Sequence, residues 1–480
     1  MNDRYSTTEI ISEKLTDSRI LIWSKIDWKK VETGVKALQT RIAKATKEQK
    51  WNLVKRLTYL LTHSFYAKLL AVRKVTTNKG KRTPGVDGEL WNTDESKEEA
   101  VFRLTDKRYN AKPLRRVLIE KKGKTTKRPL GIPCMIDRAM QALYALALSP
   151  IAETTADSHS FGFREGRCAQ DACTYIFILL SNKKAPEWIL EGDIKGCFDH
   201  ISHDWLIENV PMDKSVLKQF LKAGYVFEEK LFATNEGTPQ GGIISPILAN
   251  MALDGIQELL DTHFKRRKVH LTRYADDFIV SADTKETAEK AKELIKNYLA
   301  GRGLELSEEK TLITHIDEGF DFLGWNFRKY NGTMLIKPSK KSIDSIVEKL
   351  SKAINEKGLA LTQDELIKLL NPALRGWANY HKGTCAKRIF SLVYHRLFEL
   401  LYAWAKHRHH NKSKEWIVKK YWHAKDGRNW VFSGESEELF NLAAVKIWRN
   451  PFMKLDMNPY LDTNYFESRK GNKSQAKTII

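Results

Sequence analysis

Cysteine and long apolar runs are both scarce in this sequence. Its five cysteines form no Cys-x-x-Cys pair, so we expect reduced structural thiols, no disulfide framework and no zinc. The longest apolar run, 142–148, is far shorter than the roughly 18 residues that a membrane span needs. The N-terminus lacks the apolar core of a signal peptide. We therefore expect no membrane partner and a chain that stays where it is made, the cytoplasm in a bacterium.

Acidic residues are outnumbered by basic ones. The 480 residues include 81 Lys and Arg against 59 Asp and Glu, which gives a formal net charge of +22. Such an excess predicts a polyanionic partner, for which nucleic acid is the default expectation. Hydrophobic residues make up 42% of the chain, with 13 Trp, 16 Tyr and 20 Phe. This content indicates a globular protein, and the length suits about two to four domains.

Two adjacent carboxylates, Asp276 and Asp277, lie between the short apolar runs 269–271 and 278–280. The pattern predicts a strand, an acidic turn and a second strand. Two carboxylates repel each other and support a turn no better than one. They are suitable ligands for a divalent metal, most simply Mg²⁺. The alternative interpretation is a solvated turn.

A third acid, Asp193, ends the apolar run 188–190. Phosphoryl transfer with two metals needs carboxylates that bridge ions about 3.5–4 Å apart, so we expect Asp193 to join the acidic turn from another strand. An isolated Asp at this point would more simply be a strand-end acid or a helix N-cap. Phe198 follows five residues later, where its ring could exclude a ribose 2′-hydroxyl or could simply pack in the core.

Two further segments suit nucleotides. In the string 238–246, paired glycines allow the backbone to approach a ligand closely, and Gln240 can hydrogen-bond a base or template strand. The string opens a predicted helix over 247–260, whose N-terminus suits phosphate, although a plain loop is also compatible. Between predicted strands at 114–120 and 129–133, the basic run 121–128 either holds a triphosphate or is merely solvated.

Regular elements indicate the fold class. Strands mixed with helices over 110–330 predict an α+β core on an antiparallel sheet. Beyond about residue 335 the pattern is helical, and an apolar stripe from Phe390 to Trp404 predicts a buried helix face. From 401 to 430 basic and aromatic residues alternate, with eight Lys and Arg against two acids. This combination suits RNA, because cations bind phosphates and rings stack on bases.

In their order along the chain, these motifs resemble those of a reverse transcriptase. The order is a basic hairpin, Asp193-x-x-x-x-Phe198, Pro239-Gln240-Gly241, Tyr274-Ala275-Asp276-Asp277, Lys310 and then Phe322-Leu323-Gly324-Trp325. More narrowly, the chain resembles the reverse transcriptase/maturases encoded by bacterial group II introns, through the strings at 82–88, 128–133, 160–164, 238–246 and 370–380. The similarity runs from about residue 20 to about residue 470.

The resemblance implies a right-hand polymerase, with fingers and an antiparallel palm sheet plus helices, followed by an α-helical thumb or maturase domain. The domains implied are an N-terminal extension with the start of the fingers at 1–110, fingers and palm at 111–335, thumb or maturase at 336–440, and a basic DNA-binding-like segment at 441–480. Many relatives continue into a zinc-supported HNH endonuclease. We expect none here, so priming would need another 3′-hydroxyl, such as a nascent strand at a replication fork.

The resemblance also implies residue roles. Two Mg²⁺ ions would be held by Asp193, Ile194, Asp276 and Asp277, the three aspartates being catalytic. Phe198 would be the steric gate against ribonucleotides. The incoming dNTP would be bound by Lys121, Arg128, Arg164, Phe198, Gln240 and Lys310. Template and primer would contact Gly241, Gly242, Tyr274, Phe322, Leu323, Gly324 and Trp325. Intron RNA would contact Arg375, Trp377, Lys406, Arg408, Lys412, Lys414, Lys419 and Lys420.

The expected function is RNA-directed DNA synthesis from dNTPs, combined with assistance to group II intron splicing and mobility. The partners implied are an RNA template with a DNA or RNA primer, intron RNA and target DNA, with association to the nucleoid during target binding; a homodimer is compatible. Two alternatives to this function stay open. The first is an RNA-binding splicing cofactor without essential polymerase activity. The second is a domesticated reverse transcriptase in host defence or repair.

Overall fold

The structure, a computed structural model, describes residues 21–120, 127–264 and 269–478, and the side chains as far as residue 470. The helices are Trp28–Lys47, Trp51–His63, Phe65–Thr77, Asp94–Arg103, Met135–Thr155, Ala169–Leu180, Cys197–His200, His203–Asn209, Lys214–Lys222, Ser245–Leu253, Ile256–His263, Lys285–Ala300, Lys340–Lys352, Gln363–His381, Lys387–Arg408, Lys414–Tyr421 and Thr463–Thr478. Shorter 3₁₀ turns lie at Trp23–Lys25, Gly358–Ala360 and Leu442–Ala444, and a π-helical turn at Ala353–Lys357.

The strands, numbered in chain order, are β1 Leu114–Glu120, β2 Lys127–Ile132, β3 Trp188–Asp193, β4 Tyr225–Phe227, β5 Lys230–Phe232, β6 His270–Tyr274, β7 Asp277–Ala282, β8 Leu312–His315, β9 Phe320–Phe322, β10 Trp325–Tyr330, β11 Thr333–Pro338, β12 Trp422–Lys425 and β13 Arg428–Phe432. The described chain divides into two compact units. Unit 1 contains the described part of Met1–Ala156 with Gly196–Asp254 and Arg302–Leu304. Unit 2 contains Asp157–Lys195, Gly255–Gly301 and the described part of Glu305–Ile480. The four-part domain division stays a prediction.

Unit 1 is built around the helix Met135–Thr155, which is buried along most of its length. The three helices Trp28–Lys47, Trp51–His63 and Phe65–Thr77 pack against it. The Asp27 carboxylate caps the first of them by accepting from the backbone N–H of Lys30. Each helix buries an apolar stripe whose residues recur mainly three or four positions apart.

A four-stranded sheet completes unit 1, in the order β2-β1-β4-β5. The predicted β1–β2 hairpin is confirmed as an antiparallel pair, while β1 and β4 run parallel. The basic tip of this hairpin, including Lys121, lies outside the described residues. The short strands β4 and β5 were not predicted, because three residues are too few to show an alternating pattern.

The central sheet of unit 2 has the order β6-β7-β3-β8, and all of its pairs are antiparallel. The helix Ala169–Leu180 packs beside it in an apolar cluster that includes Ile189, Ile279 and Trp325. Because β3 has a neighbour on each side, its register is fixed twice. This sheet confirms the predicted antiparallel core and carries all three candidate catalytic aspartates.

The helical part of unit 2 has its own core. The apolar stripe from Phe390 to Trp404 is buried as predicted, against the helices Lys340–Lys352 and Gln363–His381. The antiparallel hairpin of β12 and β13 closes this core with Trp422 and Phe432. That hairpin is a correction, since the sequence predicted helices only. Its charged turn and alternating aromatics were interpreted as an RNA-binding pattern instead.

The predicted helix over 247–260 is also corrected. It is two helices, Ser245–Leu253 and Ile256–His263, because Asp254 is extended and Gly255 has a φ of 100°. Such a φ lies in the left-handed region that ends a helix and favours glycine. The backbone N–H of Gly255 instead donates to the Asp157 carboxylate at 3.1 Å. No helix within the described ranges combines the length and apolar content needed to cross a membrane.

Phe390 gives a direct test of the helical core. Replacing this fully buried ring, Phe390→Ala, is expected to lower the free energy of unfolding by about 3–5 kcal/mol, because it leaves a cavity against Trp377. The matched control, Leu392→Ala, changes an exposed residue on the same helix and should stay within about 0.5 kcal/mol. Urea unfolding measures both. Equal losses for the two variants would contradict the assigned helix face.

Candidate active site

The segment Tyr274–Asp277, here called the acidic turn, is the tight connection between β6 and β7. Tyr274 pairs with Asp277 across the hairpin, which leaves only Ala275 and Asp276 in the loop. Ala275 has a φ of 58°, a left-handed conformation that costs a residue with a β-carbon about 1–2 kcal/mol. Strain of this kind is concentrated at functional sites, where the surrounding structure maintains it.

The register of β3 brings a third carboxylate to the acidic turn. Asp193 is the last residue of β3 and lies directly opposite Asp277 on β7. Residues opposed in this way have β-carbons about 4.5–5.5 Å apart. The structure therefore brings together the acids that the sequence predicted to converge. The backbone carbonyl of Asp193 accepts from the N–H of Ser307 at 2.8 Å, which anchors the strand end.

Negative charge is concentrated at this point. The pKa of Asp277 is raised to about 6, first because surrounding protein displaces water and then because Asp276 and Asp193 are negatively charged. Lys310 and Lys341 oppose the shift. The ammonium of Lys310 lies 2.7 Å from the carboxylate of Asp193. Part of Asp277 stays open to solvent, so a cation can reach the crowded carboxylates.

The donor set fits Mg²⁺ by chemistry, since a hard cation prefers carboxylate oxygens. Within the described ranges, however, no three His, Cys, Asp or Glu side chains are already arranged as ligands around one point. The Asp193 carboxylate accepts instead from the ammonium group of Lys310. A metal at this site would compete with Lys310 for Asp193.

Two candidates for triphosphate binding, Arg128 and Arg164, differ in exposure and in hydrogen bonding. Arg128 is exposed on β2 in unit 1. Arg164 belongs to unit 2, where its Nη1 donates to the backbone carbonyls of Asp157 at 2.6 Å and Ser160 at 2.9 Å. Two such bonds brace the local loop. The role of Arg164 toward a triphosphate stays a prediction.

Two further nucleotide candidates, Phe198 and Gln240, lie in unit 1. Phe198 is half-buried in the helix Cys197–His200. The side-chain amide of Gln240 donates to both carboxylate oxygens of Asp199 at 3.1 Å. The backbone carbonyl of Gln240 accepts from the backbone N–H of Gly131. Gly241 has a φ of 111°, and a β-carbon there would lie 2.8 Å from the Gly131 carbonyl. The 239–242 loop is therefore held against β2, and its predicted close approach to a ligand stays a prediction.

The turn between β9 and β10 contains Phe322, Leu323, Gly324 and Trp325. Phe322 and Trp325 are buried, and Trp325 stacks on Tyr380 at 4.5 Å between ring centroids. The Tyr380 hydroxyl donates to the Leu323 carbonyl at 2.8 Å. Leu323 and Gly324 both have positive φ, 51° and 80°. Only the turn itself is available to a primer, because the two aromatic side chains belong to the core.

Four of the predicted RNA contacts bind other parts of unit 2 in this structure. Arg375 lies over the Phe440 ring, Trp377 donates to Ser342, Lys406 donates to the Lys412 carbonyl, and Arg408 donates to the Leu361 carbonyl and lies over Trp404. Such partners reduce the freedom of these side chains to reach RNA.

The other four RNA candidates, Lys412, Lys414, Lys419 and Lys420, are exposed. The ammonium groups of Lys412 and Lys420 lie 5.3 Å and 5.0 Å from the centre of the Trp416 ring. This cluster, which we call the lysine face, combines exposed positive charge with a partly exposed aromatic ring. Cations beside a ring suit the phosphates and bases of RNA, and its contact with RNA stays a prediction.

Three residues close to these sites were missed by the sequence analysis. Asp199 accepts from Gln240, the positive charge of Lys341 opposes the raised pKa of Asp277, and Arg273 donates through Nη1 to the Ala275 carbonyl at 3.2 Å. Arg273 had a signal that could have been noticed, a basic residue within an apolar strand directly before the acidic turn. Asp199 and Lys341 had none, because their roles depend on partners far away in the sequence.

Comparison with known protein families agrees with this geometry. The protein family described as "Reverse transcriptase (RNA-dependent DNA polymerase)" matches residues 119–327. The "N-terminal domain of reverse transcriptase" matches 23–104, and the "Group II intron, maturase-specific domain" matches 343–422. The first match contains all three candidate catalytic aspartates, and the third contains the lysine face.

Individual relatives extend over most of the chain. Group II intron-encoded protein LtrA of Lactococcus lactis is 30% identical, with 72% of this chain and 73% of that protein covered. Protein YkfC of Escherichia coli is 32% identical, over 53% of this chain and 78% of its own length. Maturase-like protein 1 of Euglena gracilis is 25% identical over 74% of this chain and 76% of its own.

These matches confirm the predicted fold class, an α+β reverse transcriptase fold followed by a helical maturase domain. They also confirm the predicted enzyme, an RNA-directed DNA polymerase combined with a splicing role. Reverse transcriptases generally use Mg²⁺, and both domain types bind nucleic acid such as RNA. The chain belongs to the family of group II intron-encoded reverse transcriptase/maturases.

Proposed function

We propose that Asp193, Asp276 and Asp277 are the catalytic carboxylates of DNA synthesis on an RNA template and that they hold two Mg²⁺ ions. The observation that carries this proposal is the pairing of Asp193 with Asp277 beside the acidic turn. Asp193 and Asp276 are the direct carboxylate ligands in this proposal, and Ile194 contributes its backbone oxygen. Bound Mg²⁺ would lower the pKa of the attacking 3′-hydroxyl and neutralise phosphate charge.

The protein's own groups have separate parts in this proposal. Lys310 neutralises Asp193 before the ion arrives and then serves the leaving pyrophosphate, which its position 2.7 Å from that carboxylate supports. Lys121, Arg128 and Arg164 neutralise the triphosphate. Gln240, oriented by Asp199, and Gly241 and Gly242 hold template and nucleotide. Tyr274 and the turn 322–325 hold the primer end.

The proposed partners are an RNA template with a DNA or RNA primer, dNTPs, intron RNA and target DNA. The lysine face supports the intron RNA contact, because its four cations are exposed and two of them, Lys412 and Lys420, lie beside the Trp416 ring. The excess of basic residues supports polyanion binding more generally. We propose a cytoplasmic protein that associates with the nucleoid when it meets its target DNA.

A second candidate function is splicing assistance that does not depend on polymerase chemistry. The observation that favours it is the separate apolar core of the helical part, which supports the lysine face without using residues of the central sheet. A mutation in the candidate active site should therefore abolish DNA synthesis and leave splicing assistance intact, and a mutation of the lysine face should do the reverse. The genomic setting, an intron or a domesticated gene in defence or repair, leaves the chemistry unchanged.

The polymerase assignment is tested by Asp276→Asn. Removing one metal-binding charge should lower the rate of primer extension on an RNA template with dNTPs and Mg²⁺ by about 10³-fold or more. Asp317→Asn, which changes an exposed acid of the same unit, is the control and should extend as wild type. The assignment fails if wild type adds no nucleotide or if Asp276→Asn is fully active. Splicing assistance should survive the change.

The steric gate is tested by Phe198→Ala. If the ring excludes the ribose 2′-hydroxyl, its removal should raise ribonucleotide incorporation relative to deoxynucleotide by about 10-fold or more. Phe102→Ala removes an exposed ring of the same unit and should leave the ratio unchanged. Single-nucleotide extension with dNTP and NTP in parallel measures both. Unchanged discrimination would mean that Phe198 only packs.

The lysine face is tested by combining Lys414→Ala with Lys419→Ala. Binding of intron RNA should weaken, and the slope of log K against log salt should fall by about 0.7–0.9 for each RNA phosphate that the variant no longer neutralises. Lys349→Ala combined with Lys352→Ala, which removes two exposed lysines of the helix Lys340–Lys352, is the control for net charge. Filter binding at several salt concentrations measures the slopes. An equal loss in the control would show that only net charge matters.

A further inference from the structure

The segment 159–164 runs alongside the strand that leads into the acidic turn. The N–H of Phe161 donates to the Arg273 carbonyl at 2.8 Å, and the N–H of Arg273 donates to the His159 carbonyl at 3.0 Å. Ser160 and Arg273 thereby form a parallel bridge, so the segment adds an edge to β6. The two carbonyl bonds of Arg164 fix the other end of the segment. We call residues 159–164 the brace.

Gly162 is where the brace touches the acidic turn. A β-carbon at this position would overlap the backbone nitrogen of Ala275 and lie 2.8 Å from the carbonyl carbon of Tyr274. Both are backbone atoms, so no side-chain rotation can relieve the overlap. The close approach therefore requires glycine, and any larger residue must displace the turn or the brace.

Arg273 holds the same turn from within β6. Its side chain is completely buried, and its Nη1 donates to the carbonyl of Ala275, the residue with the strained φ of 58°. Burial raises the pKa of the Asp157 carboxyl and the positive charge of Arg273 opposes that shift, so the two side chains are close enough to interact. A buried cation that has such a counter-charge and donates to a backbone carbonyl fixes that carbonyl in place.

We propose that Gly162 and Arg273 are positioning residues for the catalytic carboxylates: together they set the backbone of the acidic turn and so the placement of Asp276 and Asp277. The inference rests on the proposed role of these two aspartates. Mg²⁺ demands near-ideal octahedral geometry, so a shift of the turn by a fraction of an ångström affects ion binding and rate together.

The experiment compares Gly162→Ala with Gly301→Ala. The second variant makes the same substitution in the same unit, but Gly301 has a φ of −62° and its added β-carbon would be 3.7 Å from the nearest atom. Three quantities are measured on the full chain: kcat and KM for dNTP in primer extension, the affinity for Mn²⁺ by electron paramagnetic resonance without nucleotide, and the melting temperature.

Gly162→Ala should lower kcat by about 100-fold, the effect of an ångström-scale misplacement, while KM for dNTP changes by less than about 2-fold. Its Mn²⁺ affinity should fall by about 10-fold, because the turn's carboxylates are displaced together. Gly301→Ala should match wild type in all three measurements. A Gly162→Ala protein with wild-type kcat and wild-type Mn²⁺ affinity would overturn the proposal.

A second variant covers the case in which Gly162→Ala does not fold. Arg273→Lys keeps the buried positive charge but replaces the guanidinium that donates to the Ala275 carbonyl, so it should lower kcat and Mn²⁺ affinity several-fold while the melting temperature stays within a few degrees of wild type. Wild-type kcat and Mn²⁺ affinity in this variant would overturn the proposal. If wild type itself adds no nucleotide, the proposed function fails, whereas an active wild type beside an equally active Gly162→Ala contradicts only the positioning role.

Discussion

The antiparallel pairing of β3 with β7 is the constraint on which the candidate active site depends. The ladder runs from Trp188 opposite Ala282 to Asp193 opposite Asp277. Side chains alternate along a strand, so a slip of one residue would turn Asp193 to the other face of the sheet. β8 pairs with the other edge of β3 and fixes the same register. Backbone hydrogen bonds and apolar packing, which carry no charge, therefore decide where the acidic groups meet.

Charge repulsion is the cost of that arrangement. The raised pKa of Asp277 reflects displaced water and two neighbouring carboxylates, and Lys310 offsets part of the repulsion through Asp193. A divalent cation would relieve it further, so ion binding and folded-state stability are linked. The strained Ala275 is maintained in the same way, by groups outside the turn. The geometry of the candidate active site is imposed by the surrounding unit and is not a property of the four-residue motif.

Local patterns predicted much of the fold and the site. The acidic turn, the strand ending at Asp193 and the buried stripe from Phe390 to Trp404 were all predicted from periodicity, and the structure confirms them. The hairpin of β12 and β13 was missed, because aromatics alternating with charges suit an RNA surface as well as a strand. Trp325 was expected at the primer, yet it is buried against Tyr380. Its direction depends on a helix about 50 residues further along the chain, which no local window includes.

The sequence by itself determined the chemistry: which acids are available, in which order the motifs follow, and that the partner is a polyanion. Composition and spacing carry this information, because residue types and strand periodicity are local properties. Only the tertiary structure decided which of these groups are free to act. It bound Lys406 and Arg408 to backbone carbonyls, left Lys414 and Lys419 exposed, and set Gly162 against the acidic turn. Burial and close approach arise between segments far apart in the chain, so they exist only once the core has packed.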